Sequence, residues 1–421
     1  MDFSPAKSAE GCLLSNQTRP YEAEFRWPNA SSKSQAPMPI WHILDVGSIW
    51  MREFASALGR IEPTVAWQPK MLATGGLQDW QKGQHLADPP LQFTEFPLQR
   101  GYARAPLRWL KPFEDKLLAM LKSRSPQPGN SPLMCSTPFY APVAEGWLGP
   151  VIYYSTDLTS AYAGLDSSQV DALEMRMCHV ADLVCPNSRR IAAHLQEVVR
   201  CDPHKIVIVP NATRSSNIAD QPCYKPGPLP PDIAHIPRPI AGVLGDLSGN
   251  MDWELIAEAI RLTPAFSWVF VGPTHRAITD VKQSADREWT IQHASFIGPK
   301  PYGELQRYAR SLDVAVLPYR KHEPTYSGSS TRFYEHLAAL RPMVASRGFA
   351  ELLEKEPLLT LIDTPQELAH GLMVLKAQSF RDGQEQARWQ ASHTGTWEER
   401  ALTISRALLS TRSMRTTAGV L

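Results

Sequence analysis

Apolar residues fall into two kinds of stretch that alternate along most of the chain. IWHILDV, from Ile40, is a short apolar run ending at Gly47-Ser48, and IWMREFASALGRI after it repeats its apolar residues at helical spacing. PTVAWQP is strand-like again. SPLMCSTPF and GPVIYYSTDL predict strands, SSQVDALEMRMCHVA an amphipathic helix, and ADLVCPN a strand. SRRIAAHLQEVV predicts a helix with Ser188 as its N-cap, and KIVIVPN a further strand. Strand, glycine turn, helix, strand is the order of a parallel α/β sheet.

The alternation stops after Ser215, where QPCYKPGPLPPDIAHIPRP reads as a proline-stiffened linker over 216–239. A second series follows. PIAGVLGDL, SWVFVGP, ASFIGP, DVAVLPY and PMVAS predict strands. MDWELIAEAIRLTP, PYGELQRYARSL and STRFYEHLAALRP predict helices, and TWEERALTISRALLS a last helix after a polar connection. The expected organisation is a disordered leader over 1–39, a first domain over 40–215, the linker, and a second domain over 240–395. A helix over 396–410 and a tail over 411–421 complete it. Two such sheets joined by a linker form a cleft, and parallel sheets bind ligands beyond the C-terminal ends of their strands.

Size and composition narrow the function. At about 150 residues per domain, 421 residues make two or three domains. Lys and Arg total 43 against 42 Asp and Glu, a net charge of +1, which is not the basic excess of a nucleic-acid binder. No apolar run approaches the roughly 20 residues of a membrane span, and MDFSPAKSAEGCLLSNQ has no secretory pattern, so a cytoplasmic location is expected. The six cysteines, at 12, 135, 178, 185, 201 and 223, include no C-x-x-C pair and are expected to be reduced and mostly buried. No zinc-protease, serine-hydrolase, P-loop or G-x-G-x-x-G string occurs, and no carboxylate cluster to hold a metal is evident.

Chemistry concentrates between Gly242 and Ser346. Gly245 and Gly249 flank the first strand-to-helix turn of the second domain, where backbone N–H groups can approach a phosphate. In YSGSSTRFYEHLAALRPMVAS, Ser327, Gly328, Ser329, Ser330 and Thr331 precede a helix and form a candidate nest of donors at its positive end. Arg332, in the first turn, opposes the helix dipole, so its placement points to an anionic ligand. Glu335 can accept hydrogen bonds from two adjacent hydroxyls, as a ribose offers. The bland alternative is a Ser-capped helix with surface charges.

FVGP, FIGPKPYGELQRYARSLDVAVLPY and the serine string just quoted resemble the nucleotide-sugar half of GT-B glycosyltransferases. They are similar above all to family 4 and family 1-like enzymes of bacterial polysaccharide synthesis. Upstream, YYSTDL, ADLVCPNSRR and KIVIVPNAT take the places of further motifs in family order, so the likeness covers roughly 40–409. The fold it implies is GT-B: two Rossmann-like parallel-sheet domains facing across a cleft, with the C-terminal helix crossing back to the first domain.

By the same resemblance Glu335 binds the donor ribose, and Arg332, in place of a family Lys, contacts the diphosphate. Ser327 to Ser330 lie over diphosphate and sugar, Gly245 and Gly249 meet the phosphates, and Pro273 and Tyr319 flank the base. Three positions depart from the pattern: Ser327 replaces the first Glu of E-x7-E, Asp246 a family Arg, and Thr156 the His of "HDL". Asp157 remains as candidate base, with helix or turn capping as its alternative role, and Asp45, Gly47 and Ser48 are expected to border the acceptor.

The implied activity is metal-independent transfer of a sugar from a UDP- or GDP-linked donor to a saccharide or lipid-linked acceptor. Its setting would be cell-surface polysaccharide or glycolipid assembly, with no cofactor and no nucleic acid. Arg100, Tyr102, Arg104, Arg108, Trp109, Leu110 and Lys111 make a patch suited to anionic headgroups, hence peripheral contact with the inner face of the cytoplasmic membrane. The alternatives are a non-catalytic GT-B protein that binds a nucleotide sugar or a partner transferase, and an epimerase.

Overall fold

A computed structural model describes residues 38–72, 92–99, 111–223, 225–274, 278 and 280–418. Residues 1–37 of the expected leader (1–39) and residues 100–110 of the basic-aromatic patch (100–111) lie outside the described residues. The first half runs β1 (Trp41–Leu44), α1 (Ile49–Gly59), β2 (Thr64–Leu72), β3 (Gln92–Gln99), α2 (Lys111–Ser123), β4 (Leu133–Cys135) and α3 (Ala141–Glu145). It continues with β5 (Val151–Tyr153), α4 (Ser167–Val180), β6 (Leu183–Val184) and α5 (Arg189–Glu197).

The second half runs β7 (Ile240–Leu244), α6 (Trp253–Leu262), β8 (Ser267–Val271), α7 (Val281–His293), β9 (Ser295–Gly298) and α8 (Leu305–Ser311). After it come β10 (Val314–Leu317), α9 (Thr331–Ala339), β11 (Met343–Ser346), β12 (Thr360–Ile362), α10 (Pro365–Ala377), α11 (Glu385–Thr394) and α12 (Trp397–Ala418).

Each half is a six-stranded parallel sheet, in the orders β3-β2-β1-β4-β5-β6 and β12-β11-β10-β7-β8-β9. Both are the doubly wound order, which reverses between the first and fourth strands of the sheet and opens a crevice there. β4, β5, β7 and β10 are apolar throughout because both sheet faces are covered there. Trp41 and Ile43 of β1 pack with Phe54 on one side, while Leu44 packs with Trp67 and Phe96 on the other. Ser48 caps α1, Ser188 caps α5 as expected, and Thr364 with Glu367 forms a capping box on α10.

Two expectations are corrected. KIVIVPN is not a strand: its ladder is the single bridge Val184–Ile206, because β6 offers only two residues to pair with. Cys135, Cys178, Cys185 and Cys201 are free and buried, but Cys223 is disulfide-bonded rather than reduced.

The proline-rich segment is docked on the second sheet, with Ile233 and Ile236 packed among Ile240, Leu244 and Tyr308. The last helix does cross back: Trp397, Ala401, Ile404 and Leu408 join the first-domain core with Trp41, Ile43 and Phe54. Where the chain returns, Thr213 N–H donates to Gly395 O and Trp397 N–H to Thr213 O, each at 2.9 Å, so the two crossings between domains are stitched side by side.

His42 on β1 is fully buried, accepts Trp67 Nε1–H on Nδ1 at 3.0 Å and meets Ser125 Oγ at 2.5 Å through Nε2. Both ring nitrogens are thus used in the neutral form, and burial lowers the pKa to about 4. The unfolded chain takes up this proton near pH 6.5, so His42 erodes stability as pH falls from about 6.5 to 4, by about 3 kcal/mol at the end. Melting temperature should therefore fall more gently with acid in His42→Gln than in the wild type. Parallel curves would clear His42 of the effect.

Candidate functional site

The order reversal of the second sheet lies between β7 and β10, and the sequence places its sharpest backbone turns there. Gly245, just past β7, has φ of 129°, and Gly272, just past β8, has φ of 154°. Both conformations favour glycine, and a Cβ on Gly272 would stand 1.6 Å from Gly245 O. A Cβ on Gly245 would stand 2.9 Å from Arg332 Nε, so the guanidinium lies directly against this turn. Arg332 reaches it from the first turn of α9 and pairs with Glu335, one turn on.

The pair is buried: the side chains of Arg332 and Glu335 are 17% and 4% exposed. Burial works against the Arg332 charge, but Glu335, Tyr319 and Tyr302 outweigh it and hold the proton on more firmly than usual. Glu335 Oε2 takes the guanidinium, while Oε1 and the Tyr302 hydroxyl face one another short of full hydrogen-bond geometry. Burial, then Glu335 and Glu53, push the Tyr302 hydroxyl well above its ordinary pKa. A buried carboxylate oxygen without a full hydrogen bond is costly, and a ligand hydroxyl placed there relieves it.

Tyr319 follows β10 and packs edge-on against Phe349 at 4.9 Å, its pKa pushed up to about 12 by burial. Pro273 follows β8 and accepts Leu247 N–H. Gly249, in the same β7–α6 connection, has open space around its Cβ position. Gly245, Arg332, Glu335 and Tyr319 are thus brought together by the fold.

The serine run is placed differently from an open nest. Ser327, Ser329 and Ser330 are buried. Ser330 Oγ caps α9 by accepting Phe333 N–H, and Ser330 N–H donates to Glu351 Oε2 at 2.9 Å, so an internal carboxylate already sits at this helix start. Ser329 Oγ accepts Asn211 N–H at 3.0 Å, and Asn211 Nδ2 donates to Ser329 O at 2.7 Å. Ser327 O accepts from Ser188 Oγ, and Ser327 Oγ meets Arg190 Nε at 3.2 Å and Glu323 Oε1 at 2.9 Å. Gly328 and Thr331 complete the turn into α9. Ser327 and Ser329 join the two domains, Ser330 is spent within the second, and what remains for an anion is Arg332 beside the Gly245 turn.

Across the seam, a feature the sequence reading missed approaches from the first domain. Glu53, on the face of α1, is 5% exposed and held by Arg214 through two contacts of 2.5 and 2.7 Å. Burial raises its pKa against the opposing pull of Arg214, and Glu335 raises it further. Arg214 lies over the Tyr302 ring at 5.3 Å. Residues 161 positions apart leave no local pattern to find. Asn211 was closer to legible, since it sits inside the PNAT string.

The first-domain candidates occupy the ends of β1 and β5. Asp45 is in the left-handed region, φ 61°, and burial raises its pKa against hydrogen bonds from Gly47 N–H and the Tyr140 hydroxyl at 3.4 Å. Ser48 is spent as the α1 cap. Burial also raises the pKa of Asp157, opposed by hydrogen bonds from Tyr162 and Thr156. Beside Ser327 opens a pocket of about 340 Å³ lined by Arg190, Lys321, His322, Glu323 and Tyr326. Arg190 and Lys321 lie on the Tyr326 ring at 4.8 and 4.9 Å.

No family model matches the chain. The Anabaena protein HepE, solved with UDP and glucose, superposes at a TM-score of 0.62 and 16% identity, covering 89% of this chain and all of HepE. A glycosyltransferase from Rickettsia africae superposes at 0.64 with 11% identity over 89% of this chain and 99% of its own. An E. coli trehalose-6-phosphate protein bound to UDP-2-fluoro glucose does so at 0.60 with 13% identity over 88% and 98%. Among curated proteins, Bacillus subtilis TuaH, named for glycosyl transfer in teichuronic acid biosynthesis, is 23% identical over 107 residues, 25% of this chain. The chain matches only about a quarter, 26%, of the length of TuaH. The fold is GT-B.

Proposed function

We propose that this GT-B chain is a glycosyltransferase that moves a sugar from a nucleoside-diphosphate sugar to a hydroxyl acceptor in bacterial cell-surface polysaccharide or glycolipid assembly. The observation that carries this reading is the buried Arg332–Glu335 pair, pressed against the Gly245 turn at the crevice of the second sheet. Arg332 suits a diphosphate and Glu335 a ribose diol. Structural neighbours in complex with UDP and with UDP-sugars support a uridine donor, and the TuaH likeness supports a polysaccharide product.

Glycosyl transfer passes through an oxocarbenium-like state as the diphosphate leaves. Charge on the leaving group is met by Arg332, since the Gly245, Leu247 and Ser248 N–H groups already donate to Val271 O, Pro273 O and Asp246 O. Asp157, whose raised pKa brings it nearer neutrality, is the proposed base for the acceptor hydroxyl. Asp45 and the pocket beside Ser327 give the acceptor and transferred sugar their walls. Among the described residues no helix is long and apolar enough to cross a membrane, and contact with a membrane surface is part of the proposal only.

The engaged serines favour a second reading, a GT-B protein that binds a nucleotide sugar without turning it over. One screen separates the two. UDP-glucose, UDP, GDP-mannose and GDP at 100-fold excess over Kd should each be compared for a rise in melting temperature, about 3 kcal/mol of stabilisation for the true ligand. Release of nucleoside diphosphate in the presence of an acceptor supports transfer, and saturable binding without release supports the second reading. Absence of any shift removes both.

A further inference from the structure

We propose that Asp171, Glu174 and His194 form a binding site for a divalent transition-metal cation that ties α4 to α5, apart from the nucleotide crevice. Asp171 and Glu174 lie three residues apart and so share one face of α4. His194 comes from the last turn of α5. Its Nε2 stands 3.1 Å from Asp171 Oδ1 and 3.6 Å from Glu174 Oε2, and the three ligand atoms all lie within 4.8 Å of one another. Ligands about 2.0–2.2 Å from a tetrahedral cation are roughly 3.3–3.6 Å apart.

The second observation is an unmet need. Glu174 is 1% exposed, and its Oε1 accepts the Tyr153 hydroxyl at 2.5 Å. Oε2 has no hydrogen-bond partner. One imidazole N–H is shared between two carboxylates, 3.1 Å from Asp171 Oδ1 and 3.6 Å from Glu174 Oε2, so the buried Oε2 gains no full hydrogen bond from it. A cation shared by the three atoms answers all of them at once. Tyr153 then plays the part of an outer donor that fixes a ligating carboxylate. Asp171 and His194, with side chains 25% and 17% exposed, leave the site open to solvent on one side. Two carboxylate oxygens and one imidazole nitrogen suit Zn²⁺ or Mn²⁺ better than Cu(I), which prefers sulfur. The consequence is mechanical: α5 begins with Ser188 and Arg190, which contact Ser327 of the second domain.

Tag-free, chelator-treated full chain should be titrated with ZnCl₂ and with MnCl₂ by calorimetry and thermal melting, beside Asp171→Asn, His194→Gln and Tyr153→Phe. The expected result is one cation per chain with a raised melting temperature in the wild type. Affinity should fall at least tenfold in the first two variants and about tenfold in Tyr153→Phe, which keeps all three ligands. Silence of the wild type to both cations at millimolar concentration would overturn the site and leave a histidine–carboxylate ion cluster. Wild-type affinity in both ligand variants would equally overturn it, by placing the metal elsewhere.

Discussion

Replacing Arg332 by alanine should abolish the rise in melting temperature that a nucleoside diphosphate gives the wild-type protein, while the response to the free nucleoside survives. The guanidinium is the one cation seated against the Gly245 turn among the described residues brought together there, and its charge is secured by Glu335. The same change leaves Glu335, 3% exposed, without its counter-ion. Breaking a buried pair from one side costs about 3–5 kcal/mol, so the ligand-free variant should also melt several degrees lower. Arg332→Lys keeps the charge but loses the fork, and should recover most of the stability with weaker diphosphate binding. Diphosphate binding equal to wild type in the alanine variant would take Arg332 out of the site.

Asp157→Asn should hold its donor as the wild type does and lose transfer by about 10²–10⁴-fold, the usual worth of a positioned base. The amide keeps a similar shape and can still bond Thr156 and Tyr162, so binding and folding are spared. Because burial lifts the carboxyl above its ordinary value, the acid limb of the wild-type rate profile should lie above the usual carboxylate range and vanish in the variant. Transfer at the wild-type rate would end the candidacy of Asp157.

The fold was legible where two-sided burial made strands uniformly apolar, as in β7 and β10. It was obscure at the edges. β3, QFTEFPLQ, is an edge strand among the described residues, a place that tolerates Pro97 and polar residues. α7 and α11 escaped notice because they are polar, whereas α10 is largely apolar and its start is marked in plain sight by the Thr364–Glu367 capping box. At the site, Gly245, Arg332 and Glu335 could be read because turn, charge and spacing are local. The serine string was read as ligand-facing, since nothing in a linear chain tells that Ser188, Arg190 and Asn211 arrive to occupy it. The Glu53–Arg214 contact is likewise a product of assembly.

The paired strands of chain at Thr213 and Gly395–Trp397 act as a double-pinned hinge. Both covalent passages are thereby bound to one another, and a rotation of the halves that keeps these bonds turns about the line they define. Asn211, two residues before Thr213, bonds Ser329 beside that line, so the ties of Ser188 and Arg190 to Ser327 are the ones that a turn about it would strain more.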